Sequence, residues 1–209
     1  MNNILTLELP RKGFHILFGI GYLTMYLLLG YTLLFWLFSG VLFTINIIAM
    51  KLANNPKWNK LFRSAIRKDS PLKGVGSLVY LIAAFITCSL EHYTKIETEI
   101  LVYAIITLSV GDGLATIVGK ASKTFMRSEL FSKSYFGSII GAIVSVLVIL
   151  LICELFYFNQ NIGHILGYVV LGMTIEFLLG WKYINKIANG YCLDNILIPL
   201  GIVIVSIVL

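Results

Sequence analysis

A long apolar run near the N-terminus limits what this chain can fold into. From Gly13 to Met50 the sequence contains no aspartate, glutamate, lysine or arginine. As a single α-helix rising about 1.5 Å per residue, this run would be about 57 Å long. The hydrocarbon core of a bilayer is only about 30 Å thick. The run therefore predicts two membrane-spanning helices that turn near Gly30 and Tyr31.

The rest of the chain has the same apolar character. Of the 209 residues, 58% are hydrophobic and only 12% are charged, and the mean hydropathy is +0.91. A soluble domain of this length does not need so much apolar surface. We therefore expect an all-α fold, a polytopic membrane helix bundle in which residues 1–209 form a single integral membrane domain.

Further apolar segments bring the expected number of transmembrane helices to about seven. They cover approximately residues 74–90, 99–118, 135–157, 163–180 and 193–209. Residues 1–12 form a short lead-in before the first span. Within the basic stretch 51–73, apolar residues at helical spacing predict an amphipathic helix at the membrane surface.

The charged residues are distributed unevenly between these spans. With seven spans, all but one of the 16 lysines and arginines lie on the same side of the membrane, and the exception is Lys95. The positive-inside rule assigns the basic side to the cytoplasm. The sequence thus predicts a multi-pass membrane protein with its basic segments in the cytoplasm.

The fourth span contains a carboxylate in an apolar environment. Asp112 lies between Gly111 and Gly113, with apolar residues on both sides of this triplet. A carboxylate at this depth is costly in lipid and indicates a function or a buried partner. The two glycines allow a backbone, an ion or a phosphate to come close, or allow the helix to break.

Other polar side chains are expected at a similar depth on the basic side. They are Arg11, Lys12 and His15 in the first span, Lys133, Ser134 and Ser138 at the start of the fifth, Glu176 in the sixth, and Asp194 and Asn195 at the start of the seventh. Mg²⁺ usually takes one or two carboxylates together with substrate phosphates, and lysine and arginine bind phosphate oxygens. Such a set suits phosphoryl transfer, which depends on positioning and charge neutralisation. The second substrate would come from the bilayer.

Four short motifs occur in order along the chain. They are Arg11-Lys12-Gly13-Phe14-His15, Gly111-Asp112 with Ala115 and Gly119-Lys120, Lys133-Ser134 with Gly137-Ser138 and Gly141, and Asp194-Asn195 with Ile198-Pro199-Leu200. Together they resemble the motifs of the diacylglycerol/polyprenol kinase family. This family includes CTP-dependent diacylglycerol kinase, dolichol kinase and phytol kinase, and is related to the phosphatidate cytidylyltransferases. Glu176 resembles an acidic residue upstream of the last motif, whereas Phe136 stands where the family usually has glutamate.

The resemblance implies a membrane kinase that transfers the γ-phosphate of CTP, or of another nucleoside triphosphate, to the hydroxyl of a diacylglycerol or a polyprenol. The implied catalytic residues are Asp112, Arg11, Lys12, Asp194 and His15, with Asp194 and His15 as the candidates for the base. The implied nucleotide-binding residues are Gly111, Gly119, Lys120, Lys133, Ser134, Gly137 and Ser138. The implied Mg²⁺ ligands are Asp112, Asp194 and Glu176. The site would face the cytoplasm, and no nucleic acid partner is implied.

Several alternatives stay open at this point. The chain could be a phosphatidate cytidylyltransferase that makes a CDP-lipid, or a small ion-coupled transporter that uses Asp112 and Glu176. A transporter should carry polar residues along both halves of its path, whereas the outer halves of these spans are nearly free of charge. Gly137 and Gly141 fit a close helix-packing face as well as a phosphate loop. The sequence does not decide which lipid alcohol is used, or between CTP, ATP and UTP.

Overall fold

The computed structural model describes residues 2–55, 75–94, 96–122, 133–158, 160–180 and 193–208. Every long element in these residues is helical, which confirms the all-α class. The helices are α1 (Asn2–Leu29), α2 (Leu33–Asn54), α3 (Val75–Thr94), α4 (Thr98–Ala121), α5 (Tyr135–Leu155), α6 (Ile162–Leu178) and α7 (Asp194–Val208). The amphipathic helix expected within 51–73 falls largely outside the described residues.

Five of the described helices are long and apolar enough to cross a membrane. They are α1 from Leu9 onward, α2, α3, α4 and α5. The remaining two are apolar but shorter, since α6 has 17 residues and α7 has 15. The described structure therefore supports a multi-pass membrane protein with five helices of sufficient length, and does not confirm the expected count of seven.

The turn between the first two helices lies where the sequence predicts it. α1 ends at Leu29 and α2 begins at Leu33. Gly30 has a φ of 60°, a left-handed conformation that glycine adopts without the clash of a Cβ atom. Its N–H donates to the carbonyl of Tyr26 at 2.8 Å and so closes the last turn of α1.

The start of α1 differs from expectation. The predicted lead-in over residues 1–12 is already part of the helix, which begins at Asn2 and includes Pro10. Within a helix, proline removes one backbone donor and its ring crowds the carbonyl four residues earlier, so it weakens the helix locally. Lys12 and His15 follow Pro10 on the same helix, about one turn apart, on the same face.

α4 lies at the centre of the bundle. In its apolar stretch 78% of the residues are buried, compared with 11% in α2. α4 packs against α1, α3, α5, α6 and α7, whereas α2 packs on α1 and α3 at the periphery. A helix that is apolar on all sides is suited to a central position, because every face meets another helix. Asp112 is thereby carried into the interior.

Small residues allow α4 and α5 to approach each other closely. Gly111, Ala115 and Gly119 on α4 face Gly137 and Gly141 on α5. A Cβ added to Gly137 would overlap the Ala115 carbonyl oxygen and lie 2.9 Å from the Gly119 nitrogen, and one added to Gly141 would lie 2.5 Å from the Gly111 carbonyl oxygen. Glycine and alanine at a spacing of four residues are typical of such contacts in membranes. The packing role that the sequence left open for Gly137 and Gly141 is confirmed.

Candidate functional site

An irregular turn of α4 precedes Asp112. Residues Thr107–Gly111 form a π-helical turn, in which the Asp112 N–H donates to the carbonyl of Thr107, five residues earlier. The Ser109 hydroxyl donates to the carbonyl of Ile105 at 2.6 Å. Such turns insert an extra residue into a helix and are frequent at functional sites. The helix break that the glycines allowed thus takes the milder form of a widened turn.

Asp112 is 1% exposed and lies between two lysines. Its Oδ2 forms an ion pair with Lys12 of α1, a side chain that is itself buried. Its Oδ1 lies 3.8 Å from the Nζ of Lys133, which precedes α5. Among the residues that the structure describes, Oδ1 makes no hydrogen bond. The expected burial of Asp112 among cations, rather than in lipid, is confirmed.

Lys133 links Asp112 to a second buried carboxylate. The Lys133 Nζ lies 2.5 Å from Oε1 of Glu176 on α6, and the Glu176 side chain is 1% exposed. The Ser138 hydroxyl of α5 donates to the other carboxylate oxygen of Glu176 at 3.0 Å. Lys12, Asp112, Lys133 and Glu176 therefore form a row of alternating charges, which we call the charge cluster.

The carboxylates keep Lys133 protonated. Burial by itself would lower the pKa of Lys133, because it disfavours the charged ammonium. The negative charges of Glu176, Asp112 and Asp194 act in the opposite direction and outweigh burial, so the pKa of Lys133 lies above its ordinary value. With two lysines and two carboxylates, the charge cluster is formally neutral.

The start of α7 adjoins the charge cluster. Asp194 is buried and lies close enough to Lys133 to contribute to its raised pKa. One oxygen of Asp194 accepts a hydrogen bond from the Asn195 N–H at 3.1 Å. The Asn195 side-chain amide donates to the carbonyl of Gly76 at 3.0 Å, which ties α7 to the first turn of α3. The last motif therefore lies beside Lys133 of the third motif.

His15 lies on α1, about one turn after Lys12, and its ring packs against Tyr80 of α3. The ring centroids are 4.0 Å apart. The His15 Nε2 is buried and has no hydrogen-bond partner in the described part of the chain. Tyr80 was not identified from the sequence, because one tyrosine in an apolar helix forms no recognisable pattern.

The residues expected to bind nucleotide fall into two groups. Lys133, Ser134 and Ser138 lie at the start of α5, where Lys133 and Ser138 both contact Glu176. The glycines of the same set, Gly111, Gly119 and Gly137, lie in the α4–α5 contact instead. Backbone and side chains of neighbouring helices fill the space beside these glycines, including Met173 of α6 beside Gly111. Their missing side chains serve helix packing, and this packing leaves no open loop for a phosphate there.

Two further residues of the predicted site, Arg11 and Lys120, are only partly buried. Arg11 is half-buried beside Lys12 on α1, and Lys120 is half-buried in the last turn of α4. Phe136, which stands where the resembled family usually has glutamate, is 38% exposed. Lys133 obtains its carboxylate partner from Glu176 on a neighbouring helix instead.

The predicted magnesium ligands do not form a complete site by themselves. The described residues contain no group of three or more histidine, cysteine, aspartate or glutamate side chains that could hold a metal ion. Asp112 and Glu176 each pair with a lysine. Mg²⁺ that binds with a nucleotide needs only one or two protein carboxylates, since phosphates and water supply the other ligands. The Asp112 Oδ1, which makes no hydrogen bond to the described residues, fits that limited role.

Comparisons with known proteins find no relative of this chain: no family model matches it, and no curated protein and no solved structure is similar to it.

Proposed function

We propose that this protein is a membrane lipid-alcohol kinase, which transfers the γ-phosphate of CTP or another nucleoside triphosphate to the hydroxyl of a diacylglycerol or a polyprenol. The proposal follows the resemblance of the four motifs to the diacylglycerol/polyprenol kinase family. The observation that carries it is the charge cluster, whose members come from distant parts of the sequence and meet at one end of the bundle. Each of the first three motifs contributes one of these members.

The charge cluster supplies what phosphoryl transfer requires. The transferred group carries its charge on three equatorial oxygens, so catalysis consists mainly of positioning and neutralisation. Lys12 and Lys133 flank Asp112 and can exchange a carboxylate partner for phosphate oxygens, with which ammonium groups form charge-assisted hydrogen bonds. Glu176 keeps Lys133 charged and holds it close to Asp112.

The reaction joins the alcohol oxygen to the γ-phosphorus. The bond between this phosphorus and the oxygen that bridges it to the β-phosphate breaks, and the nucleoside diphosphate leaves. The hydroxyl proton passes to a base, for which His15 and Asp194 remain the candidates. The unpartnered Nε2 favours His15 because it can accept a hydrogen bond from a hydroxyl.

Magnesium would enter with the nucleotide. Asp112 would contribute its Oδ1, with Asp194 and Glu176 as the other expected carboxylates. The bound ion would neutralise part of the phosphate charge. Arg11, next to Lys12, and Lys120, about two helical turns after Asp112, would contact other phosphates of the same nucleotide.

We also propose that α6 and α7 cross the membrane, which gives seven spans and a cytoplasmic charge cluster. With seven spans, all but one of the 16 lysines and arginines lie on the same side as the cluster. A shorter helix can span by local thinning of the bilayer or by extension of its flanking residues to the interface. Nucleotides would then reach the cluster from the side on which cells keep them.

A small ion-coupled transporter is the second candidate. It is favoured by the pairing of Lys12 with Asp112 inside the bundle, because paired acids and bases within spans are typical of proton relays. A transport path would also need polar residues in the other half of the bundle. There Glu91 accepts hydrogen bonds from Tyr26 and Thr98, and no second cluster of paired charges occurs among the described residues.

Product analysis with purified protein tests the proposal. CTP, ATP and UTP are each incubated with diacylglycerol, a polyprenol or phosphatidate, with radiolabel on the γ-phosphate. A kinase gives a labelled lipid phosphate and a nucleoside diphosphate. A cytidylyltransferase gives a CDP-lipid and labelled pyrophosphate. Absence of both products, together with ion-driven transport in proteoliposomes, would overturn the kinase proposal in favour of the transporter.

A further inference from the structure

Two buried polar atoms beside the charge cluster have no hydrogen-bond partner in the described part of the chain. They are the Nε2 of His15 and the hydroxyl oxygen of Tyr80. Tyr80 is 2% exposed, and its ring lies 4.0 Å, centroid to centroid, from the ring of His15. Buried polar groups in folded proteins almost always have a partner, and an exception calls for a water, an ion or a ligand. His15 is a candidate for the catalytic base, whereas Tyr80 has no role in the proposed nucleotide site.

The absence of a side chain at Gly19 leaves space for the Tyr80 hydroxyl. Gly19 lies about one turn after His15 on α1, and a Cβ added there would overlap the Tyr80 hydroxyl. Ser109 of α4 is also adjacent, but its hydroxyl proton is donated to the carbonyl of Ile105 at 2.6 Å. Three helices, α1, α3 and α4, thus meet around the Tyr80 hydroxyl.

This polar position adjoins the place where a phosphoryl group would be held. His15 and Tyr80 both lie within electrostatic range of Asp112. His15 also follows Lys12, the ion-pair partner of Asp112, by about one helical turn on the same face of α1. A group that contacts both the His15 Nε2 and the Tyr80 hydroxyl would therefore also lie within electrostatic range of Asp112.

We propose that the His15 Nε2 and the Tyr80 hydroxyl form the subsite for the hydroxyl of the lipid alcohol. The alcohol O–H donates to His15, and the alcohol oxygen accepts a hydrogen bond from Tyr80. One hydroxyl matches one acceptor and one donor, and neither the His15 Nε2 nor the Tyr80 hydroxyl has a hydrogen-bond partner among the described residues. This subsite rests on the proposed kinase function, and it adds Tyr80, which lies outside all four motifs, as a residue that selects the acceptor.

Binding measured without nucleotide separates the subsite from the chemistry. The probes are dioctanoylglycerol and farnesol, each paired with its O-methyl ether, which keeps the chain but cannot donate a hydrogen bond. We expect the full-length protein in detergent to bind at least one alcohol about tenfold more tightly than its ether, because a site built around a hydroxyl rejects an analogue that leaves its polar groups unpaired.

Tyr80→Phe removes only the hydroxyl and should abolish most of this preference. The matched control is Tyr22→Phe, because Tyr22 is 1% exposed and donates to or accepts from Ser39 at 2.9 Å, away from the subsite. A second pair of variants tests the space itself. Gly19→Ala should block alcohol binding, whereas Gly21→Ala, where an added Cβ has no neighbour within 4 Å, should not.

The outcomes distinguish the subsite from the kinase proposal. Equal binding of alcohols and ethers to the wild type would mean that water alone occupies the position, and would overturn the subsite. An unchanged preference in Tyr80→Phe would overturn it as well. If the wild type prefers the alcohol and Tyr80→Phe does not, yet no triphosphate yields a lipid phosphate, the subsite stands and the kinase proposal fails. If lipid phosphate forms and Tyr80→Phe keeps the wild-type KM for the alcohol, the kinase proposal stands and the subsite fails.

Discussion

The Lys133 ammonium lies 2.5 Å from the Glu176 carboxylate, and this ion pair joins the segment before α5 to the interior of α6. Both charges are withdrawn from water, since Glu176 is 1% exposed and the Lys133 side chain is 18% exposed. Such a pair contributes little net stability compared with apolar packing, but the loss of one partner leaves the other charge uncompensated. The pair therefore fixes the position of Lys133 more than it stabilises the fold.

A double-mutant cycle on this pair should reveal strong coupling. Removal of one partner from a buried pair costs about 3–5 kcal/mol. Because Lys133 retains some exposure, we expect Glu176→Gln and Lys133→Met each to lower the free energy of unfolding by about 2–3 kcal/mol. The double variant should lose less than the sum, with a coupling of about 1–3 kcal/mol. Equilibrium unfolding in mixed micelles measures all four proteins, and strictly additive losses would contradict the pairing.

The stability contributed by Lys133 should be lost only at high pH. The folded-state pKa of Lys133 is raised, so its contribution is complete below the unfolded-state pKa and declines as the pH rises through the folded-state value. The difference in unfolding free energy between the wild type and Lys133→Met should therefore stay constant from about pH 7 to about pH 9 and shrink above about pH 10.4. A difference that shrinks already near neutral pH would mean that burial, rather than the carboxylates, determines the pKa of Lys133.

Asp112→Asn should abolish nucleotide-dependent lipid phosphorylation while the protein still inserts into membranes. The substitution removes the charge that holds Lys12 and faces Lys133, and loss of one such electrostatic group costs about 100-fold or more in rate. Insertion depends on the apolar spans, which are unchanged. The control is Glu91→Gln, a carboxylate that accepts hydrogen bonds from Tyr26 and Thr98 elsewhere in the bundle. Full activity in Asp112→Asn would remove this residue from the mechanism.

Gly137→Ala should separate α4 from α5. The added methyl group would overlap the Ala115 carbonyl oxygen and lie 3.0 Å from the Cα of Gly119, neither of which can move independently of its helix. Overpacking of this kind costs about 1–3 kcal/mol, which unfolding in micelles detects. Gly167→Ala on α6 is the matched control, because an added Cβ there meets nothing within 4 Å. Equal stability of both variants would show that the contact tolerates a side chain.

Thiol labelling in intact cells tests the orientation of the spans. In a background with Cys88, Cys153 and Cys192 replaced by alanine, Lys60→Cys should react with a membrane-impermeant reagent only after the cells are opened. Tyr157→Cys should react from outside, since residue 157 is 95% exposed and lies between α5 and α6. The reversed labelling pattern would place the basic segments outside and would remove the access of cytoplasmic nucleotides to the charge cluster.

The sequence predicts much of this fold because few backbone structures can span a bilayer. A span needs a long apolar run, so the positions of the helices and the turn at Gly30 follow from the pattern of hydrophobicity. The convergence of Asp112 with Lys12 and Lys133 follows as well, because charges inside a bundle must find opposite charges. The number of spans does not follow for α6 and α7, whose helices in the described residues are shorter than their apolar runs suggest.

Details that depend on helix rotation could not be predicted. The sequence leaves open which carboxylate pairs with Lys133, and the choice of Glu176 depends on how α6 turns its side chains toward α5. Tyr80 contacts His15 only because α1 and α3 cross where both rings face inward. Gly137 likewise packs against Ala115 and Gly119 instead of binding a phosphate, because α5 turns this glycine toward α4. None of these contacts has a sequence pattern of its own.

The π turn at Thr107–Gly111 determines the direction in which α4 presents its acid. One residue occupies about 100° of an α-helical turn, so removing the extra residue would rotate everything from Asp112 onward by about that angle relative to the upstream half. The carboxylate would then swing away from α1 and Lys12. The inserted residue therefore turns the Asp112 carboxylate toward Lys12. A one-residue deletion would turn it away without altering any charged side chain.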